Sequence, residues 1–213
     1  MNLYFAPLAC SLATRIALYE SGIDAQYTYV DLKAKRLADG TDFFQISPLG
    51  QVPALQTQDN LILTENAAIL QYVADHASKA ALAPTTVVQR SQLHQWLSFI
   101  GTELHKAVFV PLLDPNAPEA VKAYTREKIA RRFEVLQSRF SGQEFLLDCF
   151  TIADAYLVTV LNWAKPCNID LTQWSAIHKY YRRLLKRESV AKAVKEEWSL
   201  YQEEQARYAT LVK

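Results

Sequence analysis

The stretch GQVPALQTQDNLILTENAAIL, residues 50–70, decides the fold. It reads as a strand over 52–57, a polar turn QDN, a second strand over 61–63, and a helix from Glu65 to about His76. Pro53 stands at the mouth of the first strand. A proline has no N–H to give a sheet and is confined to edges, strand starts and bulges. Two forms of the Val52–Pro53 bond suit this place: a cis peptide, or an ordinary trans proline at a strand start. The cis form turns Val52 so that its N–H and C=O point outward, where an extended peptide can pair with them. The helix start beside it suits a zwitterion. Backbone N–H groups and the Asn66 amide favour a carboxylate, and Glu65 favours a cationic amine. The plainer reading of TEN is a helix cap.

Working outward, the first 80 residues alternate. NLYF (2–5) is strand-like. SLATRIALYESG (11–22) is a helix with Ser11 as cap and Gly22 as stop, and QYTYVDL (26–32) returns to strand. A mixed loop with a short helix near 42–46 leads into the quoted stretch. The order β-α-β-α-β-β-α predicts an α/β layer on a small mixed sheet of four strands. Cys10 falls in the first strand-to-helix turn, where ligands meet such layers and where a helix dipole favours a thiolate. A buried inert cysteine is the ordinary alternative. The tetrad is CSLA, not C-x-x-C, so dithiol chemistry is excluded there.

From about residue 87 no strand is expected. Leu93, Leu97, Ile100 and Leu104 repeat at helical spacing through 87–109. At 100° per residue, Ser98, Thr102 and His105 form a polar row beside that stripe. Residues 117–142 open on Pro118 as a first helical residue and close before Gly142. FTIADAYLVTVLNWAKP (150–166) is apolar nearly all round, a helix for the middle of a bundle, and its Thr151 and Asp154 are spaced as a capping box. Two or three further helices fill 172–208. The period changes across 78–88, which predicts domains over 1–80 and 87–213.

Composition narrows the function. Of 213 residues, 23 are Lys or Arg and 22 Asp or Glu, a balance that gives no field for nucleic acid or an acidic membrane. The basic run KYYRRLLKR (179–187) reads as a solvated helix face. Cys10, Cys149 and Cys167 show no metal or disulfide spacing, which suits a reducing cytosol. No apolar run approaches the ~20 residues of a membrane span, and the first residues lack the pattern of a signal peptide.

Together these stretches resemble the glutathione transferases, in particular the bacterial beta class, over nearly the whole chain. The opening LYFAPLACSLATRIAL carries Tyr4, Cys10 and Ser11. GQVPAL resembles the family's cis-proline loop, LTENAAILQY its acidic helix start, WLSFIGTELHK its first long helix and FTIADAYL its capped central helix. The resemblance implies a thioredoxin-like first domain, a helical second domain, a homodimer and glutathione as the bound thiol, with no metal. It implies that Val52, with Gln51 and Pro53 beside it, meets the cysteinyl backbone of glutathione. Glu65 and Asn66 hold the γ-glutamyl end and Lys35 the glycyl end. Cys10 lies next to the sulfur, with Tyr4 and Ser11 ranked behind it. Ser98, Thr102, Glu103 and His105 complete the site from the helical side. Leu8, Phe109, Leu112 and Trp163 are the candidates for the hydrophobic substrate.

The chain also departs from the family pattern. Asn66 stands where Ser is common, Ser98 where Asn is common, Leu8 where Gly is common and Leu49 where Lys is common. These changes point to a more apolar site mouth. The reading is conjugation of glutathione to small apolar electrophiles, with Cys10 and His105 as candidates to lower and orient the thiol. Thiol–disulfide exchange through Cys10 and a non-catalytic binding module are the alternatives.

Overall fold

The computed structural model describes residues 1–211. Residues 212–213, the end of the expected second domain, lie outside the described residues. The chain divides into two compact units: Met1–Leu82 together with the residues from Arg187 onward, and Ala83–Lys186.

The first unit begins with β1 (Asn2–Phe5), α1 (Ser11–Ser21), β2 (Gln26–Asp31) and β3 (Arg36–Leu37). A 3₁₀ turn (Phe43–Gln45), β4 (Ala54–Gln56), β5 (Ile62–Leu63) and α2 (Asn66–Asp75) follow. The sheet order is β3-β2-β1-β4-β5, with β1 parallel to β2 and the other pairs antiparallel. The sheet therefore has five strands, not the expected four. The extra strand, β3, meets β2 through just two residue pairs, Leu37 with Val30 and Arg36 with Asp31. Two residues inside the polar run KAKRLADG are too few to show alternation.

Side chains alternate along β1. Tyr4 joins Ala6, Val30, Phe43, Val52 and Ala54 in one apolar cluster. Leu3 and Phe5 are buried as well. Helix α1 packs on both α2 and α9 (Glu188–Leu211). Its left-handed stop is Gly22, at φ 70°, a conformation that costs glycine nothing. Its cap is not Ser11, which is the first helical residue; Cys10 holds the cap position. The buried Ser11 hydroxyl instead accepts from the Ala6 N–H at 3.3 Å and donates to the Ala6 carbonyl at 3.2 Å, closing the turn over 6–11.

α9 belongs to this unit through polar ties. Glu197, wholly buried, accepts from Arg15 Nε at 2.8 Å and from the Leu8 N–H at 2.7 Å. Arg187 pairs with Glu20 at 2.6 Å and Tyr208 donates to Asp31 at 2.6 Å. The Arg15 guanidinium also lies over the rings of Phe5 and Tyr27. The expected second domain included these C-terminal residues; the contacts of α9 put it with 1–82.

The second unit is helical: α3 (Val87–Phe99), a π-type segment (Ile100–Phe109), α4 (Val110–Leu113), α5 (Glu119–Glu127), α6 (Ile129–Phe140), α7 (Ile152–Leu161), a 3₁₀ turn (Leu171–Gln173) and α8 (Ser175–Leu184). The expected single α-helix over 87–109 widens after Phe99. Pro111 cannot join an α-ladder, and the Val110 N–H just before it bonds the His105 carbonyl five residues back. The helix expected over 117–142 is two, broken at Lys128, and Pro118 precedes the first helical residue rather than being it.

α7 is buried at every position, as the sequence suggests. Its capping box forms: Asp154 Oδ2 accepts from the Thr151 N–H at 2.9 Å, and Thr151 Oγ1 accepts from the Ala153 N–H at 3.3 Å. Asp154 Oδ1 accepts from the Leu146 N–H at 3.0 Å and the Tyr180 hydroxyl at 2.9 Å, which ties α7 to α8 and to the loop before it. Burial pushes the Asp154 carboxyl up to about 6 against these donors, which favour the ionised form.

Candidate functional site

In the first unit the sequence candidates gather at the ends of α1, α2 and β4. Cys10 is half-buried, and its thiol donates to the Val52 carbonyl at 3.1 Å. The Val52–Pro53 bond is cis, so of the two forms read from the sequence this one is present. The loop before it is braced by Ser47, whose hydroxyl donates to the Gln51 carbonyl at 2.9 Å and accepts the Gln51 N–H at 3.2 Å. Gln51 itself is exposed. Lys35 has φ 55° and donates through Nζ to the Gly50 carbonyl at 2.9 Å, so its ammonium sits at this same loop. Two of the ammonium's three protons remain for another acceptor.

Glu65 is exposed and has φ 67°, ψ 114°. A non-glycine residue in such a sparsely populated region costs about 1–3 kcal/mol, and strain of this kind clusters at ligand clamps. The strain turns the chain into α2, whose first residue, Asn66, is buried. Leu8 is also left-handed, at φ 57°, where a glycine would be free of strain. Its N–H is held by Glu197. Tyr4 is mostly buried, with its hydroxyl at 3.5 Å from Gln56 Oε1, the long limit of a hydrogen bond. The Ser11 hydroxyl is committed to Ala6, as above.

In the second unit the expected polar row divides. Ser98 and Thr102 are exposed, and the Thr102 hydroxyl donates to the Ser98 carbonyl at 2.9 Å. His105 is buried. The row assumed an α-helical turn, and the π-type widening from Ile100 rotates His105 inward. Its Nδ1 lies 2.7 Å from the Tyr156 hydroxyl, and its ring packs on Trp163. Burial, with the Lys106 charge second, pushes the imidazole down to about 4, so it is neutral at pH 7. Glu103 pairs with Arg132 at 2.5 Å. Phe109 and Trp163 pack edge to face as core side chains, whereas Leu8 and Leu112 are half-buried. No group of three metal-ligating side chains occurs among the described residues.

Sequence reasoning missed Ser47, Thr14, Glu197, Tyr156 and Arg132, each of which holds a candidate in place. Only Ser47 carried a local signal, the turn sequence SPLG. The others act across long separations in the chain.

Comparison with known proteins follows the same two-part division. The glutathione S-transferase N-terminal domain matches residues 1–75 and the glutathione S-transferase C-terminal domain matches residues 100–188. The chain is 40% identical to the glutathione S-transferase GstA of Escherichia coli O157:H7, covering 92% of this chain and 98% of that one. A sphingomonad glutathione S-transferase solved with glutathione superposes with TM-score 0.88 at 38% identity, covering 92% of this chain and 98% of that one. A bacterial beta class glutathione S-transferase of Sphingomonas chungbukensis superposes with TM-score 0.87, also at 38% identity, with the same coverage. The chain belongs to the glutathione S-transferase family, alongside its bacterial beta class.

Proposed function

We propose that this chain is an enzyme that conjugates glutathione to small electrophilic, hydrophobic compounds, a detoxifying reaction. The observation that carries the reading is the strained backbone of Glu65 at the start of α2. It leaves an exposed carboxylate beside the N-terminus of α2, matched to the ammonium and carboxylate of a γ-glutamyl group.

In this proposal Val52, flanked by Gln51 and Pro53, pairs with the cysteinyl backbone. Lys35 meets the glycyl carboxylate, and Cys10 holds and polarises the glutathione sulfur. Tyr4 and Ser11 support the turn that carries Cys10. Ser98, Thr102, Glu103 and His105 act from the helical side, His105 as a neutral group. Leu8, Phe109, Leu112 and Trp163 shape the apolar substrate contacts. The functional division is a glutathione-binding part over 1–80 and an apolar-substrate part over 87–213.

The chemistry is a substitution or addition by sulfur. The glutathione thiol loses its proton to solvent, the thiolate forms a carbon–sulfur bond, and a leaving group such as chloride departs with the electron pair. A free thiol has pKa about 8.5, so lowering it is the enzyme's first task.

We also propose a homodimer in the cytoplasm. Three cysteines with no disulfide spacing, Cys10, Cys149 and Cys167, fit a reducing compartment, and no helix among the described residues is long and apolar enough to cross a membrane. Titration calorimetry with glutathione, and the rate of chloride displacement from 1-chloro-2,4-dinitrobenzene, test the activity. No heat of binding together with no rate above the buffer reaction rejects it. Sedimentation at micromolar concentration tests the dimer, and a fully active monomer rejects that part alone.

A further inference from the structure

Thr14 lies one turn along α1 from Cys10 and is fully buried. Its hydroxyl is 3.1 Å from Oδ1 of Asn66. A side-chain carbonyl only accepts, so the hydroxyl donates and the carbonyl half of the amide is committed to α1. The other half is not committed. Asn66 is only 7% exposed, yet its Nδ2 has no hydrogen-bond partner among the described residues. Buried donors are nearly always paired, and one that is not calls for a reason. This one belongs to the residue that opens α2, directly after the strained Glu65. The N-terminus of α2 and an unpaired amide thus meet at one point, and both favour an acceptor, best an anionic one.

We propose that Thr14 is a positioning residue for ligand binding. It holds the Asn66 amide with Oδ1 turned to α1, so that Nδ2 is kept as a donor for the carboxylate of a γ-glutamyl group. The inference rests on the glutathione reading above. It also accounts for the departure at this position. A serine hydroxyl both donates and accepts, so it turns to suit its ligand and needs no second residue to set it. An asparagine amide has two unlike ends. Flipped, it would face a carboxylate with its own carbonyl, so the substitution demands an orienting partner.

The test uses Thr14→Val, which keeps the side-chain shape without the hydroxyl, Thr14→Ser, which keeps the hydroxyl, and Asn66→Asp, which keeps the acceptor for Thr14 but replaces the donor by an anionic oxygen. Calorimetry measures binding of glutathione and of 4-aminobutyryl-cysteinylglycine, the same tripeptide without the γ-glutamyl carboxylate. Thr14→Val is expected to bind glutathione about tenfold more weakly, the scale of one oriented hydrogen bond to a charged group. Thr14→Ser should stay close to wild type, and Asn66→Asp should lose more than Thr14→Val. Wild type and Thr14→Val should bind the truncated peptide alike. Equal losses on both peptides would mean that the variant only loosens the packing of α1 on α2, and would overturn the proposal. So would unchanged glutathione affinity in Thr14→Val, or undiminished affinity in Asn66→Asp. A wild-type protein that binds no glutathione would instead overturn the underlying reading, and this inference with it.

Discussion

His105 and Tyr156 share one buried hydrogen bond, with Nδ1 and the phenolic oxygen 2.7 Å apart. The bond joins the π-type segment to the central helix α7, two elements that also pack directly. A charged imidazolium has little water there, and burial lowers its pKa to about 4.

The sign of the consequence follows from proton counting. Between about pH 6.5 and 4 the unfolded chain holds a proton on this histidine and the folded chain does not. The native state is therefore favoured above pH 6.5 and loses that advantage as the pH falls through the unfolded value. His105→Gln removes the term. Urea midpoints at pH 7.5 and pH 5 should fall less in the variant than in the wild type, by a difference on the order of 2 kcal/mol. Asp154, raised to about 6, and Glu197, raised to about 7, act in the opposite sense over the same range. Only the difference between the two proteins is diagnostic for that reason. Parallel losses in both would show that His105 is charged in the native state.

Asp154 carries a larger share of the second unit's stability. Four donors converge on it: two backbone N–H groups, the Thr151 hydroxyl and the Tyr180 hydroxyl. Asp154→Ala removes a helix cap, worth about 0.5–2 kcal/mol, and leaves buried donors unsatisfied at about 1–3 kcal/mol for each that finds no water. The denaturant midpoint should drop by the equivalent of at least about 2 kcal/mol. Glutathione affinity of the fraction that remains folded should be nearly unchanged, because the residue lies wholly inside the helical unit. An unchanged midpoint would mean that α7 does not depend on its cap.

The capping box was legible in the sequence because its two residues are three apart and interact locally. The same holds for the Glu65–Asn66 helix start and the stop at Gly22, where short-range chemistry leaves a short-range signature; Pro53 marked its loop but left the cis and trans forms both open. What was not legible depends on distance along the chain. Arg15 and Glu197 are 182 residues apart, and Thr14 and Asn66 are 52 apart. No period or spacing links such pairs. The two-residue strand β3 was missed because alternation needs length, and the inward turn of His105 because the wheel assumed an α-helix where the chain from Ile100 to Phe109 is π-type. Errors in the candidate site therefore lie in the partners and burial of its residues.

The last prediction turns on the contact between Cys10 and Val52. The thiol donates to the Val52 carbonyl at 3.1 Å, so it braces the residue proposed to pair with the cysteinyl backbone of glutathione. If Cys10 orients glutathione but does not react, Cys10→Ala removes one orienting hydrogen bond. That is worth on the order of 1–3 kcal/mol, or roughly ten- to a hundred-fold in rate. Conjugation of 1-chloro-2,4-dinitrobenzene should survive at that reduced rate, with the loss appearing in kcat/KM for glutathione. Reduction of a small disulfide by glutathione, if the wild type supports it, should vanish. That exchange needs a sulfur at position 10, and the chain's other cysteines, Cys149 and Cys167, belong to the other unit. Steady-state rates on both substrates for wild type and variant decide the matter. Complete loss of conjugation in Cys10→Ala would make Cys10 a reacting group and not a positioning one.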